Sequence, residues 1–333
     1  MTLLHRFLAA TAFRSPLLRT AVPTIALAYA IQAGVAVPSI LARSERFYDL
    51  SGSLTYISCT ALSLYLPVLR ARAAGAGVGK LAAGWPSVLK SLQGKSLAEG
   101  GWWDWRQVAL SVAVGIWATR LGTFLFSRIT AENGTDSRFE NIRTSPSKFA
   151  VAFFAQATWV SLCLLPVTLL NSLSPAAVTS PFPRALYPIP LLGLSLYAAG
   201  ILLEATADRQ KSQWMKEKKE KKHSEEFLTR GLWGRSRHPN YFGEISLWTG
   251  IAVAAGGVLV TGPAQAALGL GGGLAGRMGV VMACAASPGF VTFLLTKVSG
   301  IPLSENKYDE RYGDRKDYQE WKQNTPMLVP KLW

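Results

Sequence analysis

Seven long stretches almost free of charge recur along this chain, and they constrain its fold more than any other feature. A helix needs about 20 apolar residues to cross a bilayer core of about 30 Å. Ala21 to Leu41, Leu50 to Leu69, Phe149 to Leu170 and Ala185 to Leu203 carry no charge at all. Gln107 to Ser127 has one interior arginine, Arg120, and Tyr241 to Val260 has one acid, Glu244, near its start. Gly279 to Leu295 is the last run. A soluble protein can bury two or three such helices, but only a bilayer rewards burial this continuous. The sequence therefore predicts an all-α, polytopic transmembrane helix bundle of about seven membrane helices.

Charge supports that environment. Charged residues make up 17% of the chain, against roughly 25% in average soluble proteins. The formal net charge of +15 points to nucleic acid or to a membrane surface, and the apolar runs decide for the membrane, with no nucleic-acid partner expected. Trp85, Trp102, Trp103 and Trp105 suit an interfacial aromatic belt. Cys59, Cys163 and Cys284 stand far apart in apolar runs, so they read as buried hydrophobes and not as a disulfide framework. The first 44 residues hold Arg6, Arg14, Arg19 and Arg43 and no acid. This pattern reads as positive flanking of the first helix, with a mitochondrial transit segment as the alternative. Ala73 to Gly79 and Gly94 to Gly101 are small-residue loop segments with room for a re-entrant stretch between them. If each run crosses once, the Arg128 to Lys148 loop, the Asp208 to Pro239 loop and the C-terminal tail share one face. The second of these has ten Lys/Arg against five Asp/Glu, which places that face in the cytosol. The basic linker Arg70 to Arg106 then falls on the opposite face, in conflict with the same rule.

Polar residues gather between Glu204 and Glu244. Glu204 and Asp208, four apart, face one side of a helix end. The Lys/Glu run that follows, as far as Glu226, reads as a solvated, salt-bridged helix. Then come Arg230-Gly231-Leu232-Trp233-Gly234-Arg235-Ser236-Arg237-His238-Pro239-Asn240-Tyr241-Phe242-Gly243-Glu244, with Trp248 and Gly250 beyond. Two arginines and a histidine crowd the mouth of a membrane helix. Pro239 sits just inside its start, Asn240 and Glu244 share one face, and Gly243 permits a close backbone approach. Cations at a helix N-terminus make an anion site, and the planar arginine fork suits phosphate. A glutamate on an apolar helix marks function. In the tail, Tyr308 and Tyr312 fall at helical spacing, which by itself describes an amphipathic helix lying on the membrane.

Two other chemistries are excluded. Gly271-Gly272-Gly273-Leu274-Ala275-Gly276 matches GxGxxG, but no strand precedes it and no acid follows about 20 residues on, so it is a loop and not a dinucleotide fingerprint. A membrane di-iron centre needs several His clusters, whereas only His5, His223 and His238 are present. No metal site is expected.

Arg237-His238-Pro239-Asn240-Tyr241-Phe242-Gly243-Glu244 with Trp248 resembles the signature of the steroid 5-alpha-reductase-like membrane proteins, in particular their DUF1295 branch. Two further stretches are similar to the same branch. One is Trp117-Ala118-Thr119-Arg120-Leu121-Gly122 with Arg128, Asp136, Ser137, Arg138, Phe139, Gln156 and Trp159. The other is the tail from Glu305 to Pro330. The resemblance spans residues 107–333 and leaves 1–106 as an N-terminal membrane region of its own.

The resemblance implies a membrane reductase that binds NADPH inside the helix bundle from the cytosolic side. It implies that Asn240 and Glu244, with Tyr241 between them, contact the nicotinamide end, and that Arg235, Arg237 and His238 hold phosphates or ribose. Glu204, Asp208 and Lys211 match positions that bind the nucleotide. Glu305, Tyr308 and Asp309 sit where the tail closes over the cofactor, and Asp136 and Arg138 match a structural or cofactor-proximal loop motif. The implied reaction is hydride transfer to an enone or similar activated C=C bond of a lipophilic, sterol- or lipid-like substrate. The family's Glu and Tyr on early helices have no aligned match here; Asp49 and Tyr56, seven apart on one helical face, are the available stand-ins for the catalytic acid. The implied setting is the bilayer of the endoplasmic reticulum, or else a mitochondrial membrane, with no obligate protein partner. The rival reading is an S-adenosylmethionine-dependent methyltransferase of the isoprenylcysteine or phospholipid type, which shares Arg-His-Pro-x-Tyr at a helix start. Asn240, Glu244 and Asp208-Arg209-Gln210-Lys211 look more reductase-like. A third reading is a non-catalytic membrane protein that keeps the cofactor pocket.

Overall fold

The computed structural model describes residues 2–75, 85–95, 100–131, 134–179 and 186–331. The small-residue segments expected at 73–79 and 94–101 lie partly outside these. Among the described residues every regular element is helical. In chain order the helices are α1 (Leu3–Ala10), α2 (Pro16–Ala42), α3 (Tyr48–Ala73), α4 (Val88–Leu92), α5 (Trp105–Ala131), α6 (Pro146–Cys163), α7 (Leu165–Asn171), α8 (Pro175–Thr179), α9 (Pro188–Lys219), α10 (Pro239–Leu259), α11 (Gly262–Leu268), α12 (Leu274–Phe293), α13 (Ile301–Tyr312) and α14 (Lys316–Asn324). Among the described residues six helices are long and apolar enough to span a bilayer. The pair α6 and α7, bent by 51° at its break, makes a seventh if it counts as one span. Pro166, at the start of α7, has no N–H to continue the ladder of α6, which accounts for the bend. The chain is thus an integral membrane protein, and among the described residues the apolar runs of the sequence fall on these helices.

The chain divides into two compact units: Met1–Leu192 with Ile251–Ser287, and Gly193–Gly250 with Pro288–Trp333. In the first unit, side-chain hydrogen bonds replace the water that lipid cannot supply. Gln32 Nε2 donates to Thr55 Oγ1 at 2.7 Å, and Asn171 Nδ2 to Ser63 Oγ at 2.9 Å. Gln107 Nε2 donates to the Leu170 carbonyl at 2.9 Å and so ties the start of α5 to the end of α7. Arg70, near the end of α3, donates to the carbonyls of Leu8 and Thr11, both at 2.9 Å, and pins α1.

At the start of α3 lies an ion network. Arg138 bridges Asp136 and Asp49, each at 2.8 Å. The buried Glu45 meets Arg143 at 2.8 Å and accepts the Asp136 N–H at 2.8 Å. Burial alone would raise the Asp136 carboxyl, but Arg138 outweighs it and holds the group below the ordinary carboxylate range. Here the Asp136/Arg138 pair fastens the loop after α5 onto α3.

One expected element differs. The Lys/Glu run is helical only as far as Lys219. Lys221 turns left-handed (φ 55°), and the chain doubles back with the Lys222 N–H on the Glu217 carbonyl at 2.9 Å. His223 stacks on Trp214 and Lys218 pairs with Glu226 at 3.1 Å, which holds the returning segment on α9 instead of extending it.

Candidate functional site

The second unit is organised by glycines that let α9 and α10 touch backbone to backbone. A Cβ on Gly243 would stand 2.7 Å from both the Glu204 nitrogen and the Gly200 oxygen, and one on Gly200 2.6 Å from the Leu247 nitrogen. A Cβ on Gly250 would stand 2.5 Å from the Gly193 oxygen. Small residues at such a crossing are the usual means by which membrane helices approach closely. The approach that Gly243 permits is therefore that of helix α9. Its consequence is chemical: Glu204 lies against Gly243, and Asp208 accepts from Asn240 Nδ2 at 3.4 Å. Glu204, Asp208 and Glu244 are all buried. Asn240 Oδ1 is buried and accepts no hydrogen bond.

The segment before α10 is held from two sides. Leu232 N–H donates to Gln210 Oε1 at 2.9 Å and Trp233 Nε1 to the Ala207 carbonyl at 3.0 Å, so the 3₁₀ turn Gly231–Gly234 is fixed on α9. Gly231 takes φ +61° in this turn, and a Cβ there would strike the Gln210 side chain. On the other side Arg237 N–H donates to the Pro326 carbonyl at 2.9 Å, and the buried Ser236 hydroxyl to the Leu328 carbonyl at 2.8 Å. The tail helices pack through aromatic rings. Phe227 lies 5.6 Å from Tyr312 and 5.4 Å from Tyr318, centroid to centroid. Phe227, Tyr312 and Tyr318 thus form one buried cluster, with Tyr308 and Trp321 packed against it.

Between loop and tail, two cations and an imidazole converge on one carboxylate. Glu305 Oε1 is hydrogen-bonded to His238 Nε2 at 2.9 Å and ion-paired with Arg237 Nε at 3.1 Å, and its Oε2 is ion-paired with Lys322 Nζ at 3.2 Å. Arg237 Nη1 also donates to the Lys322 carbonyl at 2.6 Å. Lys322 reaches Asp309 Oδ2 at 2.7 Å, and the Tyr318 hydroxyl donates to Asp309 Oδ1 at 2.8 Å. Lys211 lies 4.9 Å above the Trp233 ring. Together Lys211, Arg237, His238, Glu305 and Tyr308 border a cavity of about 30 Å³. Beyond Trp214 and Leu228 lies a groove of about 430 Å³ bordered by Arg209, Gln213 and Arg230.

His238 is 6% exposed at its side chain. Burial pushes its imidazole below the usual histidine range, against the pull of Glu305. The sign for stability follows: a folded state that resists protonation loses stability as pH falls through the ordinary histidine value of about 6.5. The thermal midpoint is expected to drop between about pH 7 and pH 5, and His238→Gln is expected to flatten that slope. An unchanged slope in the variant would show that other groups set it.

The structure gathers most of the residues expected from the sequence. Glu204, Asp208 and Lys211 fall on α9 and Asn240 and Glu244 on α10, with Asn240 meeting Asp208 across the crossing, and Tyr241 stacks on His238 at 5.5 Å. Glu305, Tyr308 and Asp309 fall on α13. Arg235 differs. It is exposed, and its carbonyl serves the Lys331 N–H at 3.0 Å instead. Asp49 and Tyr56 belong to the first unit. Asp49 is engaged by Arg138, and Tyr56 is buried with its ring edge-on to Trp117 at 4.9 Å. Sequence reasoning missed Lys322, one of several lysines in a polar tail, and Trp233, the platform for Lys211.

The family model described as protein of unknown function (DUF1295) matches residues 80–269 and 273–325. The chain belongs to the DUF1295 family. The match covers most of the chain and includes both the Arg237 to Glu244 stretch and the tail carrying Glu305. No curated protein and no solved structure matches the chain.

Proposed function

We propose that this DUF1295 protein is an NADPH-dependent membrane reductase acting on an activated C=C bond of a lipophilic substrate, with the endoplasmic reticulum as its expected membrane. One juxtaposition carries the reading. Arg237, His238 and Lys322 converge within 3.2 Å on a single acid at the mouth of an apolar helix, while just inside it the buried Asn240 Oδ1 accepts nothing. A dinucleotide asks for this pair of features: fixed cations for its phosphates and an amide acceptor for its carboxamide N–H. The donor set fits NADPH on those grounds.

When bound, NADPH would supply a hydride. The chain's part is to bind and orient. Arg237, Lys322 and Lys211 answer phosphate charge, and arginine's fork gives that contact direction. Asn240, steadied by Asp208, would hold the carboxamide and orient the nicotinamide end. Trp233 and Leu228, both nearly buried, keep water from the cation ring and strengthen each interaction inside it. S-adenosylmethionine has no phosphate to meet these cations, which disfavours the methyltransferase reading.

The test is thermal unfolding of the full-length protein in detergent. NADPH at a hundred times its Kd should stabilise by about 2.7 kcal/mol, a shift of several degrees. Stabilisation by S-adenosylmethionine alone would replace this reading with the methyltransferase one.

A further inference from the structure

Resting on the reading above, we infer that Glu305 is a built-in stand-in for a ligand phosphate, and that the arriving phosphate displaces it and loosens the tail helices α13 and α14. The geometry is that of an occupied anion site. A single carboxylate uses both oxygens to receive Arg237, His238 and Lys322 between 2.9 and 3.2 Å. The side chain of Arg237 is only 13% exposed. A cation that buried needs a counter-charge whether or not ligand is present, and Glu305 supplies it.

The space beneath is too small for anything else. A cavity of about 30 Å³ holds one or two waters and not a diphosphate. A phosphate held by Arg237 and Lys322 takes the place of the group that now meets them, and Glu305 is that group, with the matching charge. It sits on α13, a helix tied to the loop before α10 by the Phe227 aromatic contacts and by the Tyr312 hydroxyl on the Glu226 carbonyl at 3.1 Å. Asp309, on the same helix, already receives Lys322 at 2.7 Å, so that lysine has a second acid when Glu305 withdraws. Phosphate carries more charge and more acceptor oxygens than a carboxylate, which favours the exchange.

The swap gives Glu305 a sign opposite to that of a residue that grips the cofactor. Full-length protein in detergent, titrated with inorganic pyrophosphate and with NADPH, reads that sign. Glu305→Gln keeps the shape and removes the competing charge, so the apparent affinity for both probes should rise about tenfold, as when a closed state of about 90% occupancy is abolished. In the wild type, amide exchange across 301–324 should quicken on binding. Weaker or unchanged binding by Glu305→Gln, or slower exchange across 301–324 on binding, overturns the swap and leaves the NADPH reading in place. Failure of the wild type to bind either probe removes both. If Glu305→Gln does not fold, the wild-type exchange measurement decides alone.

Discussion

Gly243→Val is expected to abolish the folded second unit. The new Cβ would stand 2.7 Å from a backbone nitrogen and a backbone oxygen of the facing helix, and neither atom can step aside as a flexible side chain would. The helices would have to part, undoing the close contacts at Gly200 and Gly250 as well. Overpacking of this kind costs about 3 kcal/mol or more, a large share of a total stability of roughly 5–15 kcal/mol. Parting α9 from α10 also strips the buried Glu204 and Asp208 of their surroundings, which adds the cost of unsupported polar groups. The measurement is size-exclusion behaviour and thermal midpoint in detergent. The variant should aggregate or fail to express, while Gly279→Ala, where an added Cβ meets nothing within 4 Å, should behave as wild type. Equal tolerance of both substitutions would mean that α9 and α10 are not packed backbone to backbone.

The membrane helices were legible because lipid imposes a coarse rule, length and lack of charge, that survives without knowledge of partners. What the rule does not carry is pairing. Gly243 stood out by its place in the Arg237 to Glu244 stretch, but Gly193 and Gly200, two of the chain's 30 glycines, carry nothing local that distinguishes them from Gly279, which faces open space. The end of α9 was misjudged for a related reason. Lys and Glu are good helix formers, so the run to Glu226 has helical propensity throughout, and only the Trp214–His223 stack and the Lys218–Glu226 pair show why the chain turns back.

The site divides in the same way. Asp208, Asn240 and Glu244 could be found because polar groups on apolar helices are costly and therefore informative. Arg235 and Arg237 were indistinguishable in sequence, two residues apart in one basic motif. The structure separates them through backbone bonds: Arg237 N–H pairs with Pro326 and its side chain turns to Glu305, while the Arg235 carbonyl pairs with Lys331 and its side chain is exposed. Lys322 was illegible because its role depends on how the tail folds back around Phe227, a long-range aromatic contact that no spacing reveals.

That separation sets up the second large effect. Arg237→Ala removes a buried, directional cation from the proposed phosphate site. Hydrogen bonds to charged groups are worth about 1.5–3 kcal/mol, so NADPH affinity should fall about a hundredfold. The variant also removes one of Glu305's three partners, but the His238 imidazole and the Lys322 ammonium remain on it at 2.9 and 3.2 Å, and the helical signal should persist. Arg235→Ala, at an exposed position in the same motif, should stay within about twofold of wild type, as surface changes away from a site usually do. The most direct measurement of the whole account is therefore an equilibrium titration of NADPH into wild type, Arg237→Ala and Arg235→Ala, each in detergent and each checked for retained fold. Saturable binding that is lost at Arg237 and kept at Arg235 is the predicted result. Saturable binding that ignores Arg237, or no binding by the wild type at all, would contradict it.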